Sequence, residues 1–432
     1  MKIRVVGCGV VCFLLAACSP RYCSFLRICD NVESVTGLRQ DAEEYPFDSS
    51  NFKTNIAEFK RKFFSPWNVK VQQKLIDKIK SQDYIKYFGL KNLEQMYAEN
   101  LQRWPSERLV NIQNNMQLDS LGKVGKRGII IRNTMCKLLP TDAPFFSNVY
   151  APGGSYPFDE NIQSLFRIGL PIFISHLSRN KEWAFVCSEV CLGWVKCADL
   201  VCVDKQFVKH YTELPLGVFV KDGISICSAN QFHEISAIGL LLPKIGQKAL
   251  IPRKTSRNMA FLSYSQNKFQ STEFAKFPCK FNQKNVHNLV NGLLGNPYSW
   301  GGNIYGGRDC SLILKDFMGV FGRYLPRNGK DQIASRRHVI DLTKVDYKAL
   351  EICKFGVPFQ SLIYLPGHIM LYVGQDKECR PVFFHNCAGL CRFYDLGRFF
   401  IGCAILSHGD DTKRLYPDEK TLLHKITKMS VL

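Results

Sequence analysis

The feature that most constrains this 432-residue chain is a cysteine that opens a helical pattern and is followed by short strands carrying histidines. Cys310 ends the segment YSWGGNIYGGRDC. The apolar residues after it recur at helical spacing: Leu312, Ile313, Phe317, Val320 and Phe321. Two short β-rich runs follow, PGHIMLYVG with His368 and FFHN with His385. The pattern predicts a thiol at a helix N-terminus beside a sheet that carries two imidazoles.

A cysteine in this position is suited to nucleophilic catalysis. The thiolate is the attacking species, and both the positive end of a helix dipole and a neighbouring imidazolium lower the pKa of a cysteine. The free backbone N–H groups of the first helical turn can also receive a tetrahedral oxyanion. In a chain with 18 Cys and 9 His, a single cysteine or histidine is weak evidence for an active site. The ordered set Cys310, His368 and His385, each in its own structural setting, predicts a cysteine peptidase.

The N-terminus has the pattern of a secretory signal. Lys2 and Arg4 precede an apolar run from Val5 to Leu15, and the segment ends in Leu-Ala-Ala-Cys at Cys18. Its roughly 13 apolar residues are short for a membrane span, which needs about 20. We therefore predict a bacterial lipoprotein signal over residues 1–18, with Cys18 as the lipidated first residue of the mature protein.

Charge and cysteine content limit the classes of partner. The formal net charge is +20, which favours anionic partners, and an exported protein is not expected to bind nucleic acid. The Cys187/Cys191 and Cys387/Cys391 pairs lack zinc-site spacing, so disulfides or buried thiols are preferred over a metal site. The glycines at 301–307 lack the Gly-Lys-Ser/Thr ending of a phosphate loop. We predict neither a metal nor another cofactor.

The pattern along the chain predicts several domains, as its length requires. A helix-rich region is followed from about residue 128 by regularly spaced short β runs, which are typical of small barrels. The predicted divisions are a signal at 1–18, a helical region at 19–115, barrels at 116–205 and 206–275, a catalytic domain at 276–408 and a helical tail at 409–432.

With these segments in place, the chain resembles the NlpC/p60 family of papain-like cell-wall peptidases, in a multidomain form with bacterial SH3-like barrels. The specific motifs lie in the last third: Tyr298-Ser-Trp-Gly-Gly, Asp309-Cys-Ser, LPRN at 325–328, Gly367-His and His385-Asn. The implied fold class is α+β. Helices pack on an antiparallel sheet in the catalytic domain, and two small SH3-like barrels and an N-terminal helical region precede it.

The resemblance also implies roles for individual residues. The nucleophile would be Cys310, the general base and acid His368, and the residue that orients this base His385. Substrate-binding residues would be Asp309 and Ser311, which flank the thiol and help to bind a free amine in the family. Two further substrate-binding candidates, Tyr298 beside the thiol and Trp300 as pocket wall, complete the set. The same residues also have plainer explanations, since Asp309 suits a helix cap and both aromatic side chains could simply pack.

Two departures from the family pattern are visible. Leu312 stands where the family usually has glycine, and the interval from His368 to His385 is somewhat long. A barrel tyrosine often completes the pocket in such enzymes, and Tyr150 and Tyr156 are the candidates here. Two alternatives therefore stay open: a peptidoglycan-binding scaffold without activity, and a thiol acyltransferase on the same fold.

The expected activity is that of the family. Related enzymes hydrolyse the bond between γ-D-glutamate and a diamino acid in peptidoglycan stem peptides, and those with an SH3-like barrel tend to prefer a free N-terminal L-alanine. We therefore expect a monomeric, lipid-anchored periplasmic endopeptidase that acts on stem peptides or muropeptides during wall turnover or recycling. The outer membrane is the preferred site for the anchor.

Overall fold

The computed structural model describes residues 27–28, 31–82, 84, 90–148, 154–303, 306–391, 398–410 and 421–432. The predicted signal, its lipidation site Cys18 and the barrel candidate Tyr150 lie outside these ranges. Within them, no helix combines the length and the apolar character needed to cross a membrane.

The N-terminal region is mainly helical, as its sequence predicts. Its elements are β1 (Arg27–Ile28), α1 (Val32–Thr36), α2 (Ile56–Phe63), α3 (Val69–Gln82) and α4 (Ser106–Met116), with 3-10 turns at Ala42–Glu44, Ser65–Trp67, Leu90–Gln95 and Leu118–Ser120. Apolar side chains anchor it to the rest of the protein. Phe52 stacks on Phe281 with ring centroids 3.8 Å apart, and Trp67 Nε1 donates to the Gly128 carbonyl at 2.7 Å. The N-terminal region is thus packed against the β unit that directly follows it in the sequence and against the domain that carries Cys310.

The first β unit is a seven-stranded antiparallel sheet. Its strands are β2 (Lys126–Ile130), β3 (Thr134–Lys137), β4 (Ile162–Phe166), β5 (Pro171–Leu177), β6 (Trp183–Cys187), β7 (Leu192–Lys196) and β8 (Leu200–Cys202). They lie in the order β4-β3-β7-β6-β5-β2-β8. Trp194 is fully buried, and its Nε1 donates to the Tyr84 hydroxyl of the N-terminal region at 3.1 Å.

The second β unit follows helix α5 (Lys205–Glu213). It has the strands β9 (Leu216–Phe219), β10 (Ser225–Ser228), β11 (Gln231–Ile235), β12 (Leu241–Ile245), β13 (Lys248–Lys254), β14 (Ala260–Tyr264) and β15 (Phe274–Lys276). Five of them form a sheet in the order β14-β13-β12-β9-β15, and β10 and β11 form a separate hairpin. Phe219, Phe269 and Phe274 pack together at its core.

The last domain combines helices with a seven-stranded sheet. Its elements are α6 (Gln283–Leu293), a 3-10 turn (Trp300–Gly302), α7 (Cys310–Val320), α8 (Gly329–Ala334), β16 (Ile340–Asp341), α9 (Lys348–Phe355), β17 (Ser361–Leu365), β18 (His368–Gln375), β19 (Pro381–Cys391), β20 (Arg398–Ser407), α10 (Leu422–Lys425) and β21 (Lys428–Val431). The strand order is β1-β20-β19-β18-β17-β21-β16, antiparallel except for the β1–β20 pair. The α+β multidomain fold class is therefore confirmed.

The prediction of a helical C-terminal tail is wrong for much of the described part. Only the single turn α10 is helical, and β21 then pairs with β17 and β16 inside the sheet. Met429 and Ser430 are buried there. The charged residues of this segment favoured a helix, but the open sheet edge offers hydrogen bonds that a free tail cannot make.

Helix α7 lies at the centre of this arrangement. It packs on β18 and β19 on one side, and its other faces meet the N-terminal region and both β units, where Asp316 approaches Gly239 and Gly319 approaches Phe59. Consistent with this position, α7 has buried apolar residues around most of its circumference. Burying a side chain such as Phe317 stabilises the fold by about 1.5–3 kcal/mol.

A buried ion-pair network ties the domains together around α7. Arg308 is 1% exposed, and its guanidinium binds Asp222 of the second β unit at 2.8 Å and Asp316 of α7 at 2.7 Å. Arg167 of the first β unit binds the same Asp316 at 2.6 Å. Arg308, two positions before Cys310, is therefore held in part by charges from outside its own domain.

Candidate active site

Cys310 is the first residue of α7, as the sequence predicts. The helix is capped by Asp309, whose Oδ1 accepts hydrogen bonds from the backbone N–H groups of Ser311 at 3.2 Å and Leu312 at 2.9 Å. The carboxylate at the positive end of the helix favours the helical start, an effect worth about 1 kcal/mol. The thiol is thereby held at the positive end of the helix, and the cap takes up the N–H groups of the two residues after it.

The glycines before the thiol allow three elements to meet closely. Gly301 and Gly302 both have positive φ, and Gly301 N donates to Asp309 Oδ2 at 3.1 Å. A Cβ on Gly301 would overlap Ile162 of the first β unit, and one on Gly302 would lie 2.8 Å from Leu312 Cδ2. The larger side chain of Leu312 is therefore accommodated by the bare backbone of Gly302, and the helix start is not displaced.

The two predicted histidines lie on neighbouring strands and contact each other. His368 begins β18 and His385 lies in β19, and His368 Nε2 is 2.8 Å from His385 Nδ1. His368 lines the same cavity as Cys310. Because Nε2 of His368 is occupied by His385, its Nδ1 is the ring nitrogen left for the thiol. The interval of 17 residues between the histidines is spanned by the β18–β19 hairpin.

Partial burial of Cys310 and His368 at the cavity wall and full burial of His385 favour the neutral forms of all three groups. Burial raises the pKa of the Cys310 thiol to about 12, assisted by the charge of Asp309 and opposed by backbone hydrogen bonding from Ile369. Burial also lowers the pKa of His368 to about 4 and that of His385 well below its usual value. Desolvation therefore outweighs the lowering of the thiol pKa that was expected from a helix N-terminus and an imidazolium, and it favours a thiol beside a neutral imidazole as the resting pair.

Arg327 is a site residue to which the sequence argument gave no role. Its side chain is 5% exposed and binds both carboxylate oxygens of Asp309, with Nη1 3.0 Å from Oδ1. Nη1 also donates to Ser311 Oγ at 2.9 Å. Burial would raise the pKa of Asp309, but Arg327 and the helix N–H groups hold it below its usual range. The LPRN run quoted for the family was the available signal, although nothing in it points to Asp309.

Aromatic residues from two domains form one wall of the site. Trp300 Nε1 donates to the Asp159 carbonyl of the first β unit at 3.0 Å, and the ring of Phe158 contacts both Trp300 and Tyr298. Burial raises the pKa of the Tyr298 hydroxyl, and the neighbouring Cys310 adds to the effect. Tyr156, proposed as a barrel contribution, is 81% exposed and lines a separate groove. The first β unit instead contributes Gln163 to the cavity.

The cavity brings together six of the seven residues predicted to act in it. Its volume is about 210 Å³, and it is lined by Gln163, Tyr298, Trp300, Asp309, Cys310, Ser311, Arg327, Lys330, Tyr364 and His368, among others. His385 lies behind His368, where it can orient the base without contacting a substrate. In the described part of the chain, no group of three or more His, Cys, Asp or Glu side chains is placed to hold a metal ion.

Three protein families match successive parts of the sequence. The N-terminal NlpC/P60 stabilising domain matches residues 8–121, an SH3 domain of the SH3b1 type matches residues 144–196, and the NlpC/P60 family matches residues 295–380. The last match contains Cys310 and His368 but ends before His385. No curated protein matches the chain.

A solved structure gives the same result for the fold. A novel NlpC/P60 endopeptidase from Photobacterium damselae subsp. piscicida aligns with a TM-score of 0.76 at 22% identity, over 91% of this chain and 97% of that one. An NlpC/P60 family protein from Bacillus cereus aligns over 70% of this chain and 98% of its own, with a TM-score of 0.46 at 12% identity. The chain therefore carries an NlpC/P60 domain, a domain of a family of cysteine peptidases, preceded by an SH3 domain and an N-terminal NlpC/P60 stabilising domain.

Proposed function

We propose that the protein is a cysteine endopeptidase that hydrolyses the γ-D-glutamyl-diamino acid bond of peptidoglycan stem peptides, in cell-wall turnover or recycling. The observation that carries the proposal is that Cys310 and His368 line one cavity while His385 contacts His368 from behind, with 2.8 Å between His368 Nε2 and His385 Nδ1, so that Nδ1 of His368 is left for the thiol. A scaffold protein would have no need for this arrangement.

The catalytic cycle follows from the neutral resting state. His368 accepts the thiol proton as Cys310 Sγ attacks the γ-glutamyl carbonyl carbon, and the carbonyl π electrons move to oxygen. The tetrahedral intermediate collapses to a thioester, and His368 returns the proton to the departing amine of the diamino acid. Water then attacks the thioester with His368 as base, which releases the γ-glutamyl carboxylate and restores the thiol.

A backbone N–H at the nucleophile stabilises the negative oxygen of the intermediate. Cys310 is the first residue of α7, where the helix dipole is positive; because the N–H groups of Ser311 and Leu312 are bound to Asp309, the N–H of Cys310 itself is the donor that we propose for the oxyanion. Loss of a single oxyanion donor in other enzymes costs about 2.7–4 kcal/mol in activation free energy, so this contribution is large.

We also propose a preference for stem peptides with a free N-terminal L-alanine, with Asp309 and Ser311 as the groups that receive the ammonium. Both line the cavity, and a carboxylate suits a charge-assisted contact with an amine. Because Arg327 already binds both oxygens of Asp309, the ammonium would enter as a second cation. Tyr298 and Trp300 would form the wall against which the peptide lies.

The proposed setting is the bacterial cell envelope. We propose that the mature protein is a monomer held at a membrane, preferably the outer one, by a lipid on Cys18. The support is the sequence of the first 18 residues alone. Metabolic labelling with a radioactive fatty acid would test it, since incorporation should be lost in Cys18→Ser.

The deciding experiment offers the protein, beginning after Cys18, two substrates: L-Ala-γ-D-Glu-diaminopimelate and the same peptide acetylated at its amine. Mass spectrometry follows the products. We expect release of L-Ala-γ-D-Glu from the free peptide, with no release by Cys310→Ala and unchanged release by Cys227→Ala, a thiol outside the site. Equal cleavage of both peptides would remove the amine preference.

The same experiment separates the alternatives. Failure to cleave either peptide, with retained binding to isolated peptidoglycan, would indicate a scaffold. Adding a second amine such as glycine amide tests transfer, because an acyltransferase would form the new amide in preference to the free acid.

A further inference from the structure

We propose that Ser407 is a positioning residue that sets the protonation pattern of the two histidines and so keeps His368 able to accept the thiol proton. The inference rests on the proposed function of the site. Ser407 lies on β20, and its Oγ is 2.9 Å from Nε2 of His385 on the adjacent strand β19. Ser407 lies outside the sequence motifs and beyond the residues that the NlpC/P60 family matches.

The three side chains form a continuous chain of hydrogen bonds. It runs from His368 Nε2 to His385 Nδ1, 2.8 Å apart, and from His385 Nε2 to Ser407 Oγ. His385 is 1% exposed and Ser407 2% exposed. Each ring nitrogen of His385 thus has one protein partner, and at this depth the loss of either partner leaves a polar atom unsatisfied.

Counting the protons along these hydrogen bonds determines which tautomer each histidine must adopt. A neutral imidazole has one donor nitrogen and one acceptor nitrogen. If His368 is to take the thiol proton at Nδ1, its own proton must be on Nε2, where it is donated to Nδ1 of His385. The proton of His385 is then on Nε2 and is donated to Ser407 Oγ. The serine oxygen is the acceptor at the end of the chain.

The opposite arrangement inactivates the base. With the proton of His385 on Nδ1, that group donates to His368 Nε2, and the remaining proton of His368 lies on Nδ1, which then cannot receive the thiol proton. Without Ser407, the first arrangement leaves a buried N–H unpaired, while the second leaves only an unpaired acceptor. Buried unpaired N–H groups are the rarer of the two in proteins, so removal of the hydroxyl favours the inactive arrangement.

The substitution Ser407→Ala removes the acceptor, whereas Ser407→Thr retains a hydroxyl. Ser430→Ala is the matched control, because Ser430 is an equally buried serine of the same sheet that bonds to the His338 carbonyl, away from the site. We expect Ser407→Ala to lower kcat about tenfold or more, with KM within about twofold, because only the chemical step depends on the base. Ser407→Thr should recover most of the loss.

Two further readouts do not depend on the substrate. The first is alkylation of Cys310 by iodoacetamide, followed site by site with mass spectrometry, which should slow about tenfold in Ser407→Ala and stay unchanged in Ser430→Ala. The second is the nitrogen NMR spectrum of protein labelled with 15N-histidine. The proton of His385, identified by its loss in His385→Gln, should be on Nε2 in the unsubstituted protein and on Nδ1 in Ser407→Ala.

These readouts distinguish failure of this inference from failure of the proposed function. If no stem peptide is cleaved but alkylation slows and the proton moves, the positioning role stands and the substrate is wrong. Unchanged alkylation and an unchanged His385 proton in a folded Ser407→Ala protein would overturn the inference. If that variant does not fold, Ser407→Cys, which keeps the shape but accepts hydrogen bonds poorly, should show the same slowing.

Discussion

The Nε of Arg327 donates a 2.7 Å hydrogen bond to the Oγ of Ser164, and through Arg327 the first β unit is linked to the residues on either side of Cys310. The same guanidinium binds Asp309, the cap of α7, and Ser311 Oγ. All four side chains are at least nine-tenths buried. The start of α7 is therefore shaped by a residue from another domain as well as by its own sequence.

The geometry of this contact predicts that lysine cannot replace Arg327. Only a planar guanidinium can reach Asp309, Ser311 and Ser164 together, and a lysine would leave some of these buried groups unpaired. We expect Arg327→Lys to destabilise the protein by roughly 2–3 kcal/mol and to lower kcat/KM, since the turn that carries Cys310 loosens. Thermal unfolding and peptide cleavage measure the two effects.

The control for this variant is Arg337→Lys, an exposed arginine in the same domain, which should change neither quantity. Ser164→Ala tests the contribution of the β unit separately. It removes one hydrogen bond and should cost about 1 kcal/mol. If Arg327→Lys kept full stability and activity, a positive charge at this position would be sufficient and the planar guanidinium would not be required.

The network around Arg308 predicts that the second β unit and the catalytic domain unfold together. Asp222 supplies two of the contacts to a guanidinium that is 1% exposed, with Nη1 and Nη2 each 2.8 Å from its oxygens. Breaking a buried pair costs about 3–5 kcal/mol, and Asp316 remains to compensate part of it. We expect Asp222→Ala to lower the stability by roughly 3 kcal/mol.

Urea unfolding followed by tryptophan fluorescence and by circular dichroism checks this prediction. The two probes should give coincident transitions in the unsubstituted protein and separate ones in Asp222→Ala, because the β unit is then free to unfold by itself. Asp346→Asn, at an exposed position, is the control. If both variants gave coincident transitions with the same urea midpoint as the unsubstituted protein, Asp222 would not couple the second β unit to the catalytic domain.

The parts of the fold that were predictable have local signals. Helix α7 follows from its apolar spacing and from the Asp309 cap, and the strands with His368 and His385 follow from short β-rich runs. The role of Arg327 was not predictable, because its partners Asp309 and Ser164 lie 18 and 163 residues away in sequence. Ser407 gave no signal for the same reason, since its partner is known only once β19 and β20 are paired.

The electrostatics of the site show the same limit. The position of Cys310 at a helix N-terminus predicted a lowered thiol pKa, and the helix taken by itself does act in that direction. Burial acts in the other direction and is larger, and its size depends on packing by domains that are distant in sequence. The C-terminal strand β21 likewise depends on the open edge beside β17, which no property of the tail reveals.

The contact between Gly302 and Leu312 predicts strong coupling between these positions. Gly302→Ala should be destabilising by roughly 1–3 kcal/mol, because its Cβ would lie 2.8 Å from Leu312 Cδ2 and its φ is positive. Leu312→Ala should cost about 2–5 kcal/mol through lost burial. The double variant should be destabilised by less than the sum of the two single effects. Removing the Leu312 side chain relieves the clash with the new Cβ, and that Cβ fills part of the space which the leucine leaves.

Urea unfolding of the four proteins gives the coupling energy, with Gly246→Ala as the control, because Gly246 has a similar φ but an open surrounding. Additive effects would show that Gly302 is required only for its backbone conformation. Activity per folded molecule should stay near that of the unsubstituted protein in Leu312→Ala, which would remove the main sequence argument for an inactive scaffold.

The protonation states of the site predict an unusual pH profile. His368 has a pKa of about 4 because it is buried, so the base is neutral and active at all pH values above that. A thiol pKa of about 12 favours the neutral thiol beside the neutral imidazole over a thiolate–imidazolium pair at neutral pH. We expect kcat/KM to fall as the pH drops through about 4 and to stay level up to about pH 9. A preformed ion pair would instead lose activity when its imidazolium is deprotonated, near pH 8.

Stability must be measured over the same range, because the buried histidines also oppose folding in acid. His176 and His368 both have folded-state pKa values of about 4 against an ordinary value of 6.5. Between these values the unfolded chain binds more protons, so stability is complete above pH 6.5 and falls as the pH is lowered towards 4, by roughly 3 kcal/mol for a fully buried histidine. Initial rates taken while circular dichroism shows the native fold separate this loss from titration of the base. An acid limb near pH 6 in folded protein, or an alkaline limb near pH 8, would contradict the neutral pair.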